Sequence, residues 1–325
     1  MKIAHLVTSK IFAGIEQHVY ELACEMSEDT EQIIMCNKEV VNNIQGVKTI
    51  CMKMGSRYSP FNLIKLIHVL RKNHVDILHC HGAKASSIGC WAKRIFGILV
   101  VSTIHGHKSR DSSFLIPSAT IGVNKKLANS VKGGIFIPNW FNPMHAGKPS
   151  TRRGPFIAIG RLETVKGFNL LINSWVNIEQ SLEIIGSGPE EGSLRRLITS
   201  LDLDNRISIV TDCNYPSIEE KYKTAKGLIV SSLREGGPRV VLEAINHEVP
   251  VLGTRVGIIP ELISNEFLTE PNNQIALQST LEEILPLLPQ IDMKGIKHAL
   301  IAEYSIKSAS KKTKDVYFSL ARAKS

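Results

Sequence analysis

Ten short apolar runs rich in β-branched residues punctuate the chain and alternate with helical patterns along nearly its whole length. The first five are Lys2 to Val7, Gln32 to Cys36, Ile77 to His79, Val100 to Ile104 and Thr120 to Gly122. The second five are Phe156 to Ile159, Leu182 to Ile185, Ile207 to Val210, Gly227 to Val230 and Val249 to Leu252. Strands separated by helical crossovers pair in parallel, which predicts an α/β architecture. Two sets of five imply two Rossmann-like doubly wound domains. At 325 residues the chain suits two cores better than one.

Between the sets, Asn142 to Gly154 is rich in Pro, Gly and polar residues without periodicity and reads as an interdomain linker. The expected domains are residues 1–145, residues 146–304 and a basic C-terminal helix, 305–325, returning to the first domain. Its apolar positions Val316, Phe318, Leu320 and Ala321 suit packing. Two such domains joined by a hinge would turn the carboxyl ends of both sheets toward one central cleft, where ligands of these folds bind.

No apolar stretch approaches the roughly 18 to 20 residues that span a bilayer, and the opening segment is too short for a signal core. Six scattered cysteines show no metal-knuckle spacing and read as free thiols of a reducing cytosol. Net charge is +9, and it is unevenly spread. Residues 1–145 hold 17 Lys and Arg against 9 Asp and Glu, the remainder 22 against 21. A basic excess on one folded domain favours an anionic partner over a merely solvated surface only if a site receives it. Aromatics are 6% and no RNA-binding signature occurs, so a nucleic-acid partner is not expected.

Two segments carry most of the chemistry. Glu235-Gly236-Gly237-Pro238-Arg239 follows an expected strand and opens a helix, with Pro238 expected at its first position. Amides after paired glycines at a helix start form an anion site. Glu243 lies in the apolar run Val240 to Ile245, where a carboxylate needs donors; sugar hydroxyls or a neighbouring Arg would serve. Gly160-Arg161-Leu162-Glu163-Thr164-Val165-Lys166-Gly167 places two cations five apart on a loop after a strand, which suits a diphosphate or simply a charged surface.

These segments, with the Gly186-Ser187-Gly188-Pro189 turn and Gly257-x-x-Pro260-Glu261, have the order and spacing of retaining GT-B glycosyltransferases of family 4, which the chain resembles over most of its length. Ala13-Gly14-Ile15-Glu16, Asp76 to Gly82, Thr103 to Gly106 and Ile137 to Trp140 resemble the same family. The resemblance implies that Gly14 approaches the donor diphosphate and that His105 lies beside the donor sugar and its phosphate. Arg161 and Lys166 would neutralise the leaving diphosphate, Glu235 would hold donor sugar hydroxyls, and Glu243 the ribose hydroxyls. Gly236, Gly237 and Pro238 would line the sugar. The sequence departs from the family at Ala13, Val256, Trp140 and Thr211-Asp212-Cys213, the last in the loop expected to contact the base.

The implied activity is hexosyl transfer from a nucleotide diphosphate sugar to a hydroxyl with retention, in lipopolysaccharide, capsule or other surface glycan synthesis. The acceptor would be a glycan or lipid-linked glycan. No metal or other cofactor is expected, and the enzyme would be cytoplasmic, docked on the anionic cytoplasmic face of the inner membrane. A nonhydrolysing sugar-nucleotide epimerase of the same fold is the alternative. Gly186 to Gly192 followed by Asp212 suggests an NAD-dependent oxidoreductase, although the third fingerprint glycine falls on Glu191. Asp202-Leu203-Asp204 precedes a strand instead of ending one and reads as a polar turn. His79 and His81 would share one side of a strand, without a third metal ligand at suitable sequence spacing.

Overall fold

A computed structural model describes residues 1–56, 59–106, 116–141, 152–211 and 215–324. They divide into two compact units, Met1–Asn139 with Ile306–Ser325, and Trp140–Ser305. The boundary expected after residue 145 and most of the expected linker, residues 142–151, lie outside the described residues. Trp140 and Phe141 already group with the second unit.

The first unit runs β1 (Lys2–Leu6), α1 (Gly14–Met26), β2 (Glu31–Cys36), α2 (Lys38–Val41), β3 (Lys48–Cys51), α3 (Pro60–Lys72), β4 (Ile77–His81), α4 (Ala83–Phe96), β5 (Leu99–Ile104), β6 (Ala119–Gly122), α5 (Lys125–Asn129) and β7 (Ile135–Phe136). Its sheet is parallel in the order β3-β2-β1-β4-β5-β6-β7. β1 therefore has β2 on one side and β4 on the other, and the order reverses there. Local sequence explains the helix limits. Ser59 Oγ accepts from the Asn62 amide with Pro60 at the first position of α3, as expected. Gly97, at φ 69°, stops α4 in a left-handed cap. Leu66, Leu70, Ile88 and Ala92 from α3 and α4 pack on Leu78 and Val100 of the sheet.

The second unit runs β8 (Phe156–Ile159), α6 (Phe168–Ser174), β9 (Leu182–Ile185), α7 (Glu191–Ser200), β10 (Ile207–Val210), α8 (Tyr215–Thr224), β11 (Leu228–Val230), α9 (Arg239–Asn246), β12 (Val251–Thr254), α10 (Ile259–Leu262), β13 (Leu268–Thr269), α11 (Gln274–Ile284) and α12 (Met293–Ile301). Its parallel order, β10-β9-β8-β11-β12-β13, reverses at β8. The core centres on Trp175, which meets Phe156 edge-on at 6.2 Å and donates its indole N–H to Gln180 O.

The sheets thus have seven and six strands where five each were expected, through the short additions β3, β7 and β13. The last helix, α13 (Ile306–Lys324), belongs to the first unit and packs on α1. Its buried Tyr317 reaches His79 of β4, and Lys314 pairs with Asp29. This assignment sharpens the charge asymmetry. Adding residues 306–325, with six Lys and Arg and one acid, the first unit holds 23 basic against 10 acidic residues and the second 16 against 20.

Two glycines of α7 and its approach make a paired prediction. Gly186 has φ 146°, and a Cβ there would lie 1.9 Å from Gly160 O, whereas a Cβ on Gly192 meets nothing closer than Arg196 at 3.5 Å. Gly186→Ala is expected to lower the thermal unfolding midpoint, at a cost of about 1–3 kcal/mol from strain alone. Gly192→Ala should leave or raise it, by up to about 1 kcal/mol of helix propensity. Differential scanning calorimetry of both variants checks the opposite signs.

Candidate active site

In the second unit the loops after β8 and β11, the strands flanking the order reversal, are stitched together. Leu233 N–H donates to Val165 O at 2.8 Å and Ser231 Oγ–H to Lys166 O at 2.9 Å. Gly167, at φ 65°, permits this, because a Cβ there would fall 2.2 Å from Ser231 O. Lys166 closes a 3-10 turn, Thr164–Lys166, and its Nζ lies 2.6 Å from Glu235 Oε1. Ser232 Oγ donates to the same oxygen at 2.7 Å. The two side chains are 19% and 12% exposed, so the pair is strongly screened from water on most sides. Two residues placed separately by sequence, Lys166 and Glu235, are thus one ion pair. Arg161 is not part of it: 68% exposed, it pairs with Glu163 at 2.7 Å.

Glu235 leads through Gly236 and Gly237 into α9. Pro238 is the residue before the helix, with ψ 106°, and Arg239 the first helical one, a shift of one position from the expected start. Gly257, at φ 59°, packs its backbone so close that a Cβ would lie 2.6 Å from Gly236 O. Glu243, expected to need donors from a ligand, has protein partners. Tyr222 Oη donates to its Oε2 at 3.0 Å, and Arg239 Nε is 3.8 Å from its Oε1. Arg239, expected at the phosphates or in solvent, is a neighbour of Glu243 one helical turn away. Tyr222 in turn stacks on His247, with rings 5.3 Å apart and 8° from parallel.

Gly186 and Gly188 serve packing. Leu162 N–H donates to Ser187 O, Glu190 N–H to Leu162 O, and a Cβ on Gly188 would lie 2.5 Å from Leu162 O. These glycines let the turn after β9 interlock with the loop after β8, and Glu191 stands at the start of α7. Asp212 and Cys213, invoked for a dinucleotide site and a base-contacting loop, lie outside the described residues. Asp202 and Asp204 lie between α7 and β10, before the strand.

In the first unit the strand reversal gathers imidazoles. His5 of β1 is the register partner of His79 of β4, and His81 follows two residues on, so all three share one face. His18 comes from α1 and His105 from just beyond β5. His5 Nε2 is 2.8 Å from Gln32 Oε1, His5 Nδ1 is 3.1 Å from His81 Nε2, and His81 Nδ1 is 3.3 Å from His105 Nε2. His79 lies between Tyr317 Oη at 2.5 Å and Thr103 Oγ1 at 2.7 Å. Burial pushes His5 down to about 4, and pushes His79 and His81 well below the ordinary imidazole value, with the neighbouring imidazoles adding to the shift. The cluster is therefore neutral at pH 7. Gly14 is the first residue of α1, where the Ala13 amide donates to Glu16 Oε2 at 3.1 Å.

Two sets of three imidazoles have nitrogens close enough to share an ion: His5, His79 and His81, and His18, His81 and His105. Sequence spacing had offered no third partner for His79 and His81. The partners come from other elements, through strand register, which no local spacing encodes. Tyr222 and Ser232 were likewise missed, since neither belongs to a recognisable pattern.

A family model described as Glycosyl transferases group 1 matches residues 146–288, and one described as Glycosyltransferase Family 4 matches residues 12–130. A phosphatidylinositol N-acetylglucosaminyltransferase polypeptide of Arabidopsis thaliana is 22% identical over 94% of this chain and 78% of its own length. The UDP-Gal:alpha-D-GlcNAc-diphosphoundecaprenol alpha-1,3-galactosyltransferase of Escherichia coli is 21% identical over 98% and 97%. Among solved structures, Anabaena HepE in complex with UDP-glucose superposes with a TM-score of 0.83, at 18% identity over 98% of this chain and all of that one.

Removing one member of the Lys166–Glu235 pair leaves a mostly buried charge behind. Lys166→Ala is expected to destabilise the fold by about 1–3 kcal/mol, and Glu235→Ala added to it should restore part of the loss. A double-mutant cycle of denaturation midpoints reads the coupling directly.

Proposed function

The chain belongs to the GT-B glycosyltransferases, its two halves matching the family 4 and group 1 models, and from that premise we propose that it is a retaining hexosyltransferase using a nucleotide diphosphate sugar. The Lys166–Glu235 pair beside the Gly236-Gly237 backbone carries the reading. It offers a cation for a diphosphate and a carboxylate for sugar hydroxyls on two loops fixed to each other. Arg161, on the same loop as Lys166, is exposed and able to exchange Glu163 for phosphate oxygens. His105 is assigned to the donor sugar, Gly14 to the diphosphate, and Glu243 to the ribose hydroxyls, where Tyr222 and Arg239 hold its carboxylate in place.

The chemical step is departure of the diphosphate with attack by the acceptor hydroxyl from the same face. The hydroxyl oxygen bonds to the anomeric carbon as the bond to the phosphate oxygen breaks, and the hydroxyl proton passes to the leaving diphosphate. The protein's contribution is electrostatic: Lys166, Arg161 and the amides leading into α9 stabilise charge that grows on the leaving group. Side-chain cations do this without a metal, and no metal is required. Lys166→Ala should lower turnover about 10²- to 10³-fold, the scale of losing one preorganised charge-stabilising contact. Single-turnover kinetics with UDP-, GDP-, ADP- and dTDP-sugars test this, and near-native turnover in a folded Arg161→Ala/Lys166→Ala variant refutes it.

The acceptor is a surface glycan carried on a lipid, and the enzyme works on the cytoplasmic face of the inner membrane. Both sequence relatives above are named for lipid-borne acceptors. Among the described residues no helix is long and apolar enough to cross a membrane, but α3 exposes Phe61 by 83% and Ile64 by 62%. Lys65, Arg71 and Lys72 on the same helix are exposed too. Buried Leu66, Ile67 and Leu70 hold α3 to its sheet, leaving this mixed apolar and basic flank outward. Each such cation contributes about 1 kcal/mol near an anionic surface. The protein should co-sediment with anionic vesicles at low salt and be released at high salt. A Phe61→Ser/Ile64→Ser variant should bind more weakly, whereas vesicle binding by neither protein at low salt would leave a purely aqueous enzyme.

A further inference from the structure

We propose that His18, His81 and His105 form a binding site for one divalent transition cation of the zinc class, within the first unit. One ring nitrogen of each lies within 4.8 Å of the other two. The hydrogen bonds around them specify which nitrogens these are. Gln32 Nε2 donates to Thr30 Oγ1 at 2.5 Å, so its oxygen faces His5 and accepts from His5 Nε2–H. With its proton on Nε2, His5 accepts at Nδ1, and His81 must donate from Nε2. The lone pair of His81 is therefore on Nδ1, the atom 3.3 Å from His105 Nε2. His18 donates from Nδ1 to Asn139 Oδ1 at 3.1 Å, which places its lone pair on Nε2.

Tetrahedral zinc with bonds of about 2.0–2.1 Å sets its ligand nitrogens roughly 3.3–3.4 Å apart. His81 and His105 already have that separation, and the His18 and His105 rings stand perpendicular at 4.6 Å between centroids. An ion here replaces a single N–H···N hydrogen bond, that from His105 to His81, with His105 keeping its proton on Nδ1. The Gln32–His5–His81 chain survives intact and becomes the outer support that holds a ligating imidazole in its tautomer. The overlapping group of His5, His79 and His81 is the poorer choice. It would break the His5–His81 bond and take His79 from Tyr317 or Thr103. Three imidazoles without carboxylate suit zinc, copper, nickel or ferrous iron and not magnesium or calcium. His105 is half-buried, leaving a fourth position for water or a phosphate oxygen. An ion would also withdraw His105 from the donor sugar, so occupancy should inhibit transfer; that consequence alone rests on the role assigned to His105 above.

The test uses the full chain stripped with EDTA and titrated with Co²⁺, whose visible absorption reports tetrahedral nitrogen ligation, followed by displacement with Zn²⁺. One Co²⁺ per chain is expected, with affinity reduced by more than tenfold in His105→Gln and in His18→Gln and unchanged in His298→Gln, an exposed histidine of α12. Gln32→Leu, which removes only the outer support, should cost about 10- to 100-fold. Absence of a saturable band, or equal binding by the His18→Gln/His105→Gln variant, overturns the site. Transfer by the stripped enzyme should be undiminished and fall as Zn²⁺ is added. Stoichiometric binding without inhibition would uphold the site and overturn the donor role of His105.

Discussion

The reversal of strand order at β1 and again at β8 is the constraint from which the chemistry follows. At such a point consecutive crossovers leave toward opposite sides, and the loops at the carboxyl ends part instead of covering one another. In the second unit the parted loops carry Arg161 and Lys166 after β8 and Glu235 to Gly237 after β11. In the first, β1 and β4 carry His5, His79 and His81 at the same place, with Gly14 starting the helix after β1. The two units share one topology but line the reversal with opposite materials, a charged pair in one and neutral imidazoles in the other.

Much of this was legible in the sequence because it is local. Runs such as Phe156 to Ile159 and Leu182 to Ile185 are buried strands with turn residues on both sides, and the structure keeps their limits unchanged. The missed strands are those in which burial writes no pattern. Lys48–Cys51 is an edge strand with exposed ends, and Ile135–Phe136 and Leu268–Thr269 are two residues each. The shift of Pro238 to the position before α9 is a one-residue matter of cap geometry. The imidazole cluster was invisible for a different reason: its members, from His5 to His105, are brought together by the register of β1 on β4 and by α1, across 100 residues of chain.

The glycines show how one signature can serve two physical ends. A strand, a Gly-x-Gly turn and a helix read equally well as a phosphate cradle or as tight packing. Here Gly186 and Gly188 have backbone of the loop after β8 where a Cβ would go, and the turn after β9 donates to and accepts from Leu162. That use fixes the loop bearing Arg161 and Lys166 and so contributes to the site without touching a ligand. Gly257 does the same for Gly236.

Pairing Lys166 with Glu235 also resolves how a site built for an anionic donor stands when no donor is present. A lone ammonium screened from water to this degree would lose much of its hydration without compensation, and Glu235 supplies it. Under the proposed reading, a diphosphate that claims Lys166 brings negative charge up to that same carboxylate. The clash is relieved only if something else donates to Glu235. Ser232 continues to donate, and sugar hydroxyls would add to it. A bare nucleoside diphosphate offers the anion without those hydroxyls, so the pair favours the intact donor over the spent one. Release of product after transfer is then a property of the resting ion pair, which re-forms as the sugar leaves.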